Sequence, residues 1–266
     1  MDALNGDSRT PGRARLAAAN VSVRAGAREL VRELSVQFAA GEVVAILGRN
    51  GSGKTLTLHT LAGLRQPAGG EVSLGGVPIA ELSRRAVALR LGLLPQDLED
   101  AFVTSAIETV LIGRHPHLAL WQWETAADER LALTALAAVD MADFAARRTD
   151  TLSGGEQRRV ALAALLAQQP AIFLLDEPTN HLDPHHQLAV LGAFRGLADS
   201  GNTVITTLHD PTLAARFADR VLLLFGDGRW SLGALGTTLT SAALSELYLT
   251  PMIELGQDGR RVFVTA

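Results

Sequence analysis

The chain has 266 residues, 47% of them hydrophobic, with a net charge of −4 and an isoelectric point near 6.0, which suits one large α/β domain carrying a subdomain. With no cysteine it excludes disulfides and thiolate metal sites, as a cytoplasmic chain would, and its longest apolar runs fall under half the roughly 20 residues of a membrane-spanning helix. The slightly acidic balance, without basic blocks, speaks against nucleic acid as a partner.

Residues 1–15 mix Gly, Pro, Ser and Arg without an apolar core, which predicts a disordered leader rather than a signal peptide and a folded domain over 16–266. Segments 17–23 and 33–38 read as strands, and Ala40-Gly41 turns into the apolar run 43–47, a buried strand. A glycine-rich stretch follows: Gly48, Arg49, Asn50, Gly51, Ser52, Gly53, Lys54 and Thr55. A leucine-rich segment at 56–64 then predicts a helix beginning at Lys54. Strand, glycine loop and helix in that order make a phosphate-binding loop in its required context. Glycine lets the backbone turn tightly enough to aim its amides at phosphate oxygens, and the helix N-terminus adds a positive dipole end. Lys54 can then reach the β and γ phosphates, while the Thr55 hydroxyl is offered to Mg²⁺. Lys54 is also the one lysine among 24 cationic residues, so a compact ammonium stands where a point charge must fit among phosphates.

Beyond the first helix, Gly69, Gly70, Gly75, Gly76 and Pro78 punctuate short strands around 71–74, and the apolar run 91–95 ends at Gln96. From 97 to about 151 the text is alanine- and leucine-rich, including 126–138, which predicts a helical subdomain inserted at about 97–158. It closes on Leu152, Ser153, Gly154, Gly155, Glu156 and Gln157. Ser-x-x-Glu before an apolar helix is a capping box, and a helix N-terminus opened by two glycines is also an anion site; both readings hold together. The run 171–175 is too short for a helix and predicts a central parallel strand ending in Asp176 and Glu177. Ligands of open α/β sheets bind at such strand exits, so Asp176 is placed to hold Mg²⁺ and Glu177 to take a proton from an attacking water. A helix at 188–197, a strand at 204–208 ending in His209, a helix at 213–218 and a strand at 221–225 complete a parallel sheet with right-handed crossovers. The tail predicts a helix near 242–247 and a strand at 261–265.

These motifs resemble, from about Leu16 onward, the ATP-binding subunit of ABC transporters. The resemblance implies a P-loop NTPase of that type: a mixed α/β sheet core, an N-terminal antiparallel β region and an inserted helical subdomain. It implies that Gly48 to Thr55 bind ATP as the Walker A motif, that Asp176 ends the Walker B strand, and that Glu177 is the general base. Gln96 is similar to the glutamine that senses Mg²⁺ and couples to membrane subunits. Leu152, Ser153, Gly154, Gly155, Glu156 and Gln157 resemble the signature, which acts across a dimer. Asn180, Leu182 and Asp183 resemble the loop that crosses between nucleotide sites, and His209 the switch histidine at the γ-phosphate. Within the superfamily the similarity is greatest to importers of iron-siderophore, haem and cobalamin complexes. It rests there on Gly113-Arg114-His115-Pro116-His117, on Leu208-His209-Asp210-Pro211 with Ala214-Ala215, and on Leu247-Tyr248 in the tail. The implied partners are a second copy of the chain, two membrane permease subunits and an extracytoplasmic binding protein. The implied place is the cytoplasmic face of the membrane. A soluble ABC ATPase of nucleic-acid metabolism, or an export motor, is the alternative.

Two positions depart from the family pattern. Leu56 replaces a common hydroxyl residue, and no aromatic stands before Phe38, where Arg24 or Ala25 occupies the place of the tyrosine that stacks on adenine. His181, His185 and His186 invite a metal reading, but Pro184 predicts a helix start between them. Trp121 and Trp123 fit either packing within the subdomain or a docking surface for a membrane partner.

Overall fold

The computed structural model describes residues 16–96, 104–119, 121–257 and 260–266. The leader at 1–15 and the start of the helical subdomain at 97–103 lie outside the described residues. Strands β1 (Leu16–Ala25), β2 (Arg28–Phe38) and β3 (Val43–Leu47) precede helix α1 (Lys54–Leu61). β4 (Gly69–Leu74), β5 (Val77–Pro78), α2 (Arg84–Ala88) and β6 (Leu91–Leu94) follow. The helical region holds α3 (Ala106–Ile112), α4 (Ala126–Ala137) and α5 (Gly154–Gln168). After it come β7 (Ile172–Leu175), α6 (Pro184–Asp199), β8 (Thr203–Thr207), α7 (Pro211–Phe217), β9 (Arg220–Leu224) and β10 (Trp230–Ala234). The chain ends in α8 (Leu235–Thr238), α9 (Ser241–Tyr248), β11 (Met252–Gln257) and β12 (Arg260–Thr265).

An antiparallel sheet of order β2-β1-β4-β5 lies over a second sheet of order β10-β9-β3-β8-β7-β6. In the second sheet every neighbouring pair is parallel except β9 with β10. All five residues of β3 are buried, and period-2 alternation sends them two ways. Val44 and Ile46 face a core shared with Phe38 and Leu58, whereas Val43, Ala45 and Leu47 face one shared with Phe173 and Phe194. A sheet covered on both faces needs continuous apolar strands, which is why β3 and β7 read as unbroken runs.

The three helices of the inserted region have their own core, centred on Val110, Leu136, Met141 and Val160. Each opens on a capping box, at Ser105, Thr125 and Ser153. Arg114 fastens the end of α3 to its neighbours: its guanidinium donates to Asp128 at 3.0 Å and to the Ala167 carbonyl at 2.7 Å. Its side chain is thereby buried, which gives this part of the Gly113-to-His117 motif a structural reason. Trp121 and Trp123 are 95% and 84% exposed, so packing within the subdomain is not their role. No helix among the described residues is long and apolar enough to cross a membrane. Two strands, β10 and β11, are additional to those expected, and β1 and β2 run longer than 17–23 and 33–38.

Candidate nucleotide site

The loop between β3 and α1 owes its shape to its glycines. Gly51 and Gly53 have φ of +75° and +102°, which L side chains rarely adopt. A Cβ on Gly48 would meet the Ser52 side chain and sit 2.7 Å from the Leu224 carbonyl. Lys54 folds back across this loop, donating to the carbonyls of Gly48 at 2.9 Å and Arg49 at 3.5 Å. Burial pulls its ammonium below the ordinary lysine value, and the nearby carboxylates Glu177 and Asp176 push the other way. The Ser52 hydroxyl is buried without a hydrogen-bond partner among the described residues, as expected of a loop whose partner is a ligand.

Three strand ends converge on this loop. β7 delivers Asp176, fully buried, and Glu177, 6% exposed. The Glu177 N–H donates to the Thr207 hydroxyl at 2.8 Å, and that hydroxyl donates to Asp176 Oδ1 at 2.7 Å, so the end of β8 fixes the acids. Glu177 has φ of +48°, a strained backbone for a side chain this size, held by those surroundings. Its carboxylate lies 3.8 Å from Lys54 Nζ. It accepts from Asn180 Nδ2 at 2.5 Å and contacts His209 Nε2 at 2.5 Å. Thr55 donates to Gln96 at 3.3 Å. Asp176 Oδ2 is buried with no hydrogen-bond partner among the described residues. That carboxylate oxygen, the Thr55 hydroxyl and the Gln96 amide oxygen are the hard donors a cation such as Mg²⁺ takes.

A cavity of about 280 Å³ opens over the loop, lined by Ala25, Leu30, Asn50, Lys54, Thr55, Gln96 and Glu177. Ala25 and Leu30, from the β1–β2 hairpin, form part of its wall, while Arg24 is turned toward Glu29 at 3.8 Å. The expected signature residues lie elsewhere. Ser153 caps α5, accepting from the Glu156 N–H at 3.3 Å, and its own N–H donates to Glu156 at 2.7 Å. Gly155 approaches the His181 carbonyl, which a Cβ would meet at 3.1 Å. Gln157 donates to the Thr149 carbonyl at 3.1 Å, while Leu152 is buried in the helical core. In the expected crossing loop, Asn180 reaches Glu177, Leu182 packs on the core below the sheet, and Asp183 caps α6 through the His186 N–H at 2.9 Å. The described residues contain no group of three His, Cys, Asp or Glu side chains able to hold a metal among themselves, and His186 is engaged by Asp183 and Arg159.

Two groups at the site escape sequence reasoning. Thr207 had a faint signal, a hydroxyl pair closing the buried strand β8. Arg158 is the larger omission: 2% exposed, it donates from Nη1 to the carbonyls of Pro95 at 2.5 Å and Gln96 at 3.2 Å. From Nη2 it donates to the carbonyls of Asp176 at 2.5 Å and Glu177 at 2.9 Å. It shares the buried stripe of α5 with Leu162 and Leu165, four and seven residues on, and that spacing was the available signal.

A glycine loop with its lysine at a strand-to-helix turn, and paired acids on a nearby parallel strand, define a P-loop nucleoside triphosphatase. More narrowly, the chain belongs to the ABC transporter family, which it matches over residues 31–180, more than half its length. Its ATP-binding subunits hydrolyse ATP to drive transport. The chain is 40% identical over 249 residues to the hemin import ATP-binding protein HmuV of Gloeobacter violaceus, covering 91% of this chain and 86% of that one. Among solved structures it resembles a metal-chelate type ABC transporter in an inward-facing conformation, with TM-score 0.82 and 27% identity over 95% of this chain and 98% of the other. It also resembles an ATP-binding cassette captured as a dimer with ADP and phosphate, with TM-score 0.71 and 27% identity over 81% and 97%.

Proposed function

We propose that this chain is the ATP-hydrolysing subunit of an importer of haem or a related metal chelate, an iron-siderophore or cobalamin complex. Two copies lie on the cytoplasmic face of the membrane and drive two permease subunits, to which an extracytoplasmic binding protein delivers cargo. The observation that carries this reading is the 40% identity with a hemin import protein across 91% of the chain. The folded unit is 16–266, with the helical subdomain at about 97–158 inserted in it.

The residue roles follow from local chemistry. Lys54 exchanges the Gly48 carbonyl for phosphate oxygens, a stronger charge-assisted partner. Residues 48–55 hold the triphosphate with backbone donors and the α1 dipole. Glu177, a carboxylate aimed into the cavity, accepts the proton of the attacking water, and Asn180 orients it. His209 is 44% exposed at its side chain, free to turn its Nε2 from Glu177 toward a γ-phosphate. Thr55, Gln96 and Asp176 are the oxygen donors for Mg²⁺, which when bound offsets the charge of the phosphates. Ser153 and Gly154 are exposed and do not line the chain's own cavity, which supports a clamp closing on a second copy's nucleotide. Trp121, Trp123 and the 53% exposed Ile112 suit the surface that meets a permease. The test is reconstitution of the chain with its permease and binding protein, measuring ATP-driven uptake of haem, cobalamin and a ferric siderophore. Uptake of one of the three supports the reading; ATP turnover without uptake of any of them refutes it.

A further inference from the structure

The C-terminal segment reaches back to the nucleotide site. Tyr248, the last residue of α9, donates its hydroxyl to the backbone carbonyl of His209 at 3.2 Å. His209 sits in a short connection: β8 ends at Thr207, the last bond to the sheet is Leu208 N–H to Ile46 O at 3.1 Å, and α7 starts at Pro211. On the far side of His209, Asp210 is tied to α7, accepting from the Thr212 N–H at 2.7 Å and the Ala214 N–H at 3.2 Å. A second tie to the C-terminal segment lies three residues on from His209, where the Phe263 N–H of β12 donates to the Thr212 hydroxyl at 3.1 Å. The two ties come from one body. Leu244 and Leu247 of α9 are buried in the core, and Met252 at the start of β11 donates to Ser245 of α9 at 2.8 Å. Burial, reinforced by the negative charge of Asp210, pushes the Tyr248 phenol up to about 12, so it remains a donor at working pH.

We propose that Tyr248 is a positioning residue for His209, through which the C-terminal unit of α9, β11 and β12 sets the rate of ATP hydrolysis. The proposal rests on the reading of His209 as the group that reaches the γ-phosphate. Tyr248 touches neither nucleotide nor reacting water; it holds the turn that aims the imidazole. Removing its hydroxyl should slow the chemical step and leave the binding of the phosphates to 48–55 unchanged.

The experiment is a double-mutant cycle of Tyr248→Phe and His209→Ala in the full chain. It is read by single-turnover hydrolysis with enzyme in excess, which gives a rate even for a slow variant. Tyr248→Phe should lower the single-turnover rate about three- to tenfold, the loss of one neutral hydrogen bond, with ATP affinity within about twofold of the parent. In the His209→Ala background it should have no further effect. An undiminished rate for Tyr248→Phe, or equal slowing with and without His209, overturns the proposal. If His209→Ala itself hydrolyses at the parent rate, the reading of His209 falls, and the proposal with it. If Tyr248→Phe fails to fold, Thr212→Val, which removes the second tie, is carried through the same cycle with the same expected outcomes.

Discussion

Replacing Arg158 with methionine keeps the bulk of the side-chain stem and removes the guanidinium that holds four carbonyls, those of Pro95, Gln96, Asp176 and Glu177. Hydrogen bonds from a charged donor are worth about 1.5–3 kcal/mol each, but the four share one ion, and deleting it also removes the cost of burying it. Breaking a buried charged network of this kind costs about 3–5 kcal/mol. At roughly 2–4 °C per kcal/mol for a chain of this size, the melting temperature should fall by about 6–20 °C. The damage should also be selective. The released carbonyls belong to the segments that carry Gln96 and the two acids, whereas the 48–55 loop takes its shape from its own glycines. Turnover should therefore fall at least about tenfold while nucleotide affinity, measured by calorimetry on the folded variant, changes by less than about threefold. Arg158→Met melting within about 2 °C of the parent with normal turnover would show that the network does not position the acids.

Lys54 is the only lysine, so amine labelling read by mass spectrometry should report a single internal site, slow in the free chain because the amine is buried and blocked when ATP binds; labelling unchanged by saturating ATP contradicts its phosphate role. Ala25 and Leu30 offer no aromatic face to a base, so ATP and GTP should bind within a few-fold of each other. Ala25→Tyr should tighten ATP about tenfold, stacking being worth roughly 1–3 kcal/mol, and a strong ATP preference in the parent would mean that another group holds the adenine. Hydrogen bonds from Thr125, then Arg114, hold the Asp128 carboxyl down at about 2. A depressed carboxylate stabilises the fold above its unfolded value near 3.8 and loses that contribution as pH falls through about 2. The stability gap between parent and Asp128→Asn in urea should thus be constant from pH 7 to about 4 and shrink below, and a gap that already narrows near pH 6 would contradict this.

The phosphate loop and strands β3, β7 and β9 could be read from sequence because a sheet buried on both faces writes itself as apolar runs with functional residues just beyond, and β8, Thr203–Thr207, was legible through its β-branched residues. β10 was missed for the opposite reason: Trp230–Ala234 is an antiparallel edge strand, half-buried, with a glycine inside it and no alternation to count. Among the described residues β11 pairs only with β12, and its exposed Ile253 and Leu255 break the expectation that apolar residues face a core. β1 and β2 were read short because Arg24, Ala25, Arg28, Glu29 and Arg32 stand at the ends that meet in the hairpin, where pairing rather than propensity sets the length. Arg158 shows a harder limit. Among 23 arginines the ones that are buried cannot be told by composition, and the partners of Arg158, separated from it by up to 63 residues, exist only in the fold. The same holds for Tyr248 and the His209 carbonyl, 39 residues apart.

The most direct test of the account is the structure of the Glu177→Gln chain with ATP and Mg²⁺. That substitution should keep ATP binding and cut turnover by about 10² to 10⁴, trapping the closed state. The account predicts a dimer in which Ser153 of one copy lies at the γ-phosphate held by Lys54 of the other. A monomer with Ser153 beside its own chain's nucleotide, or a Glu177→Gln chain that still hydrolyses ATP at the parent rate, would contradict it.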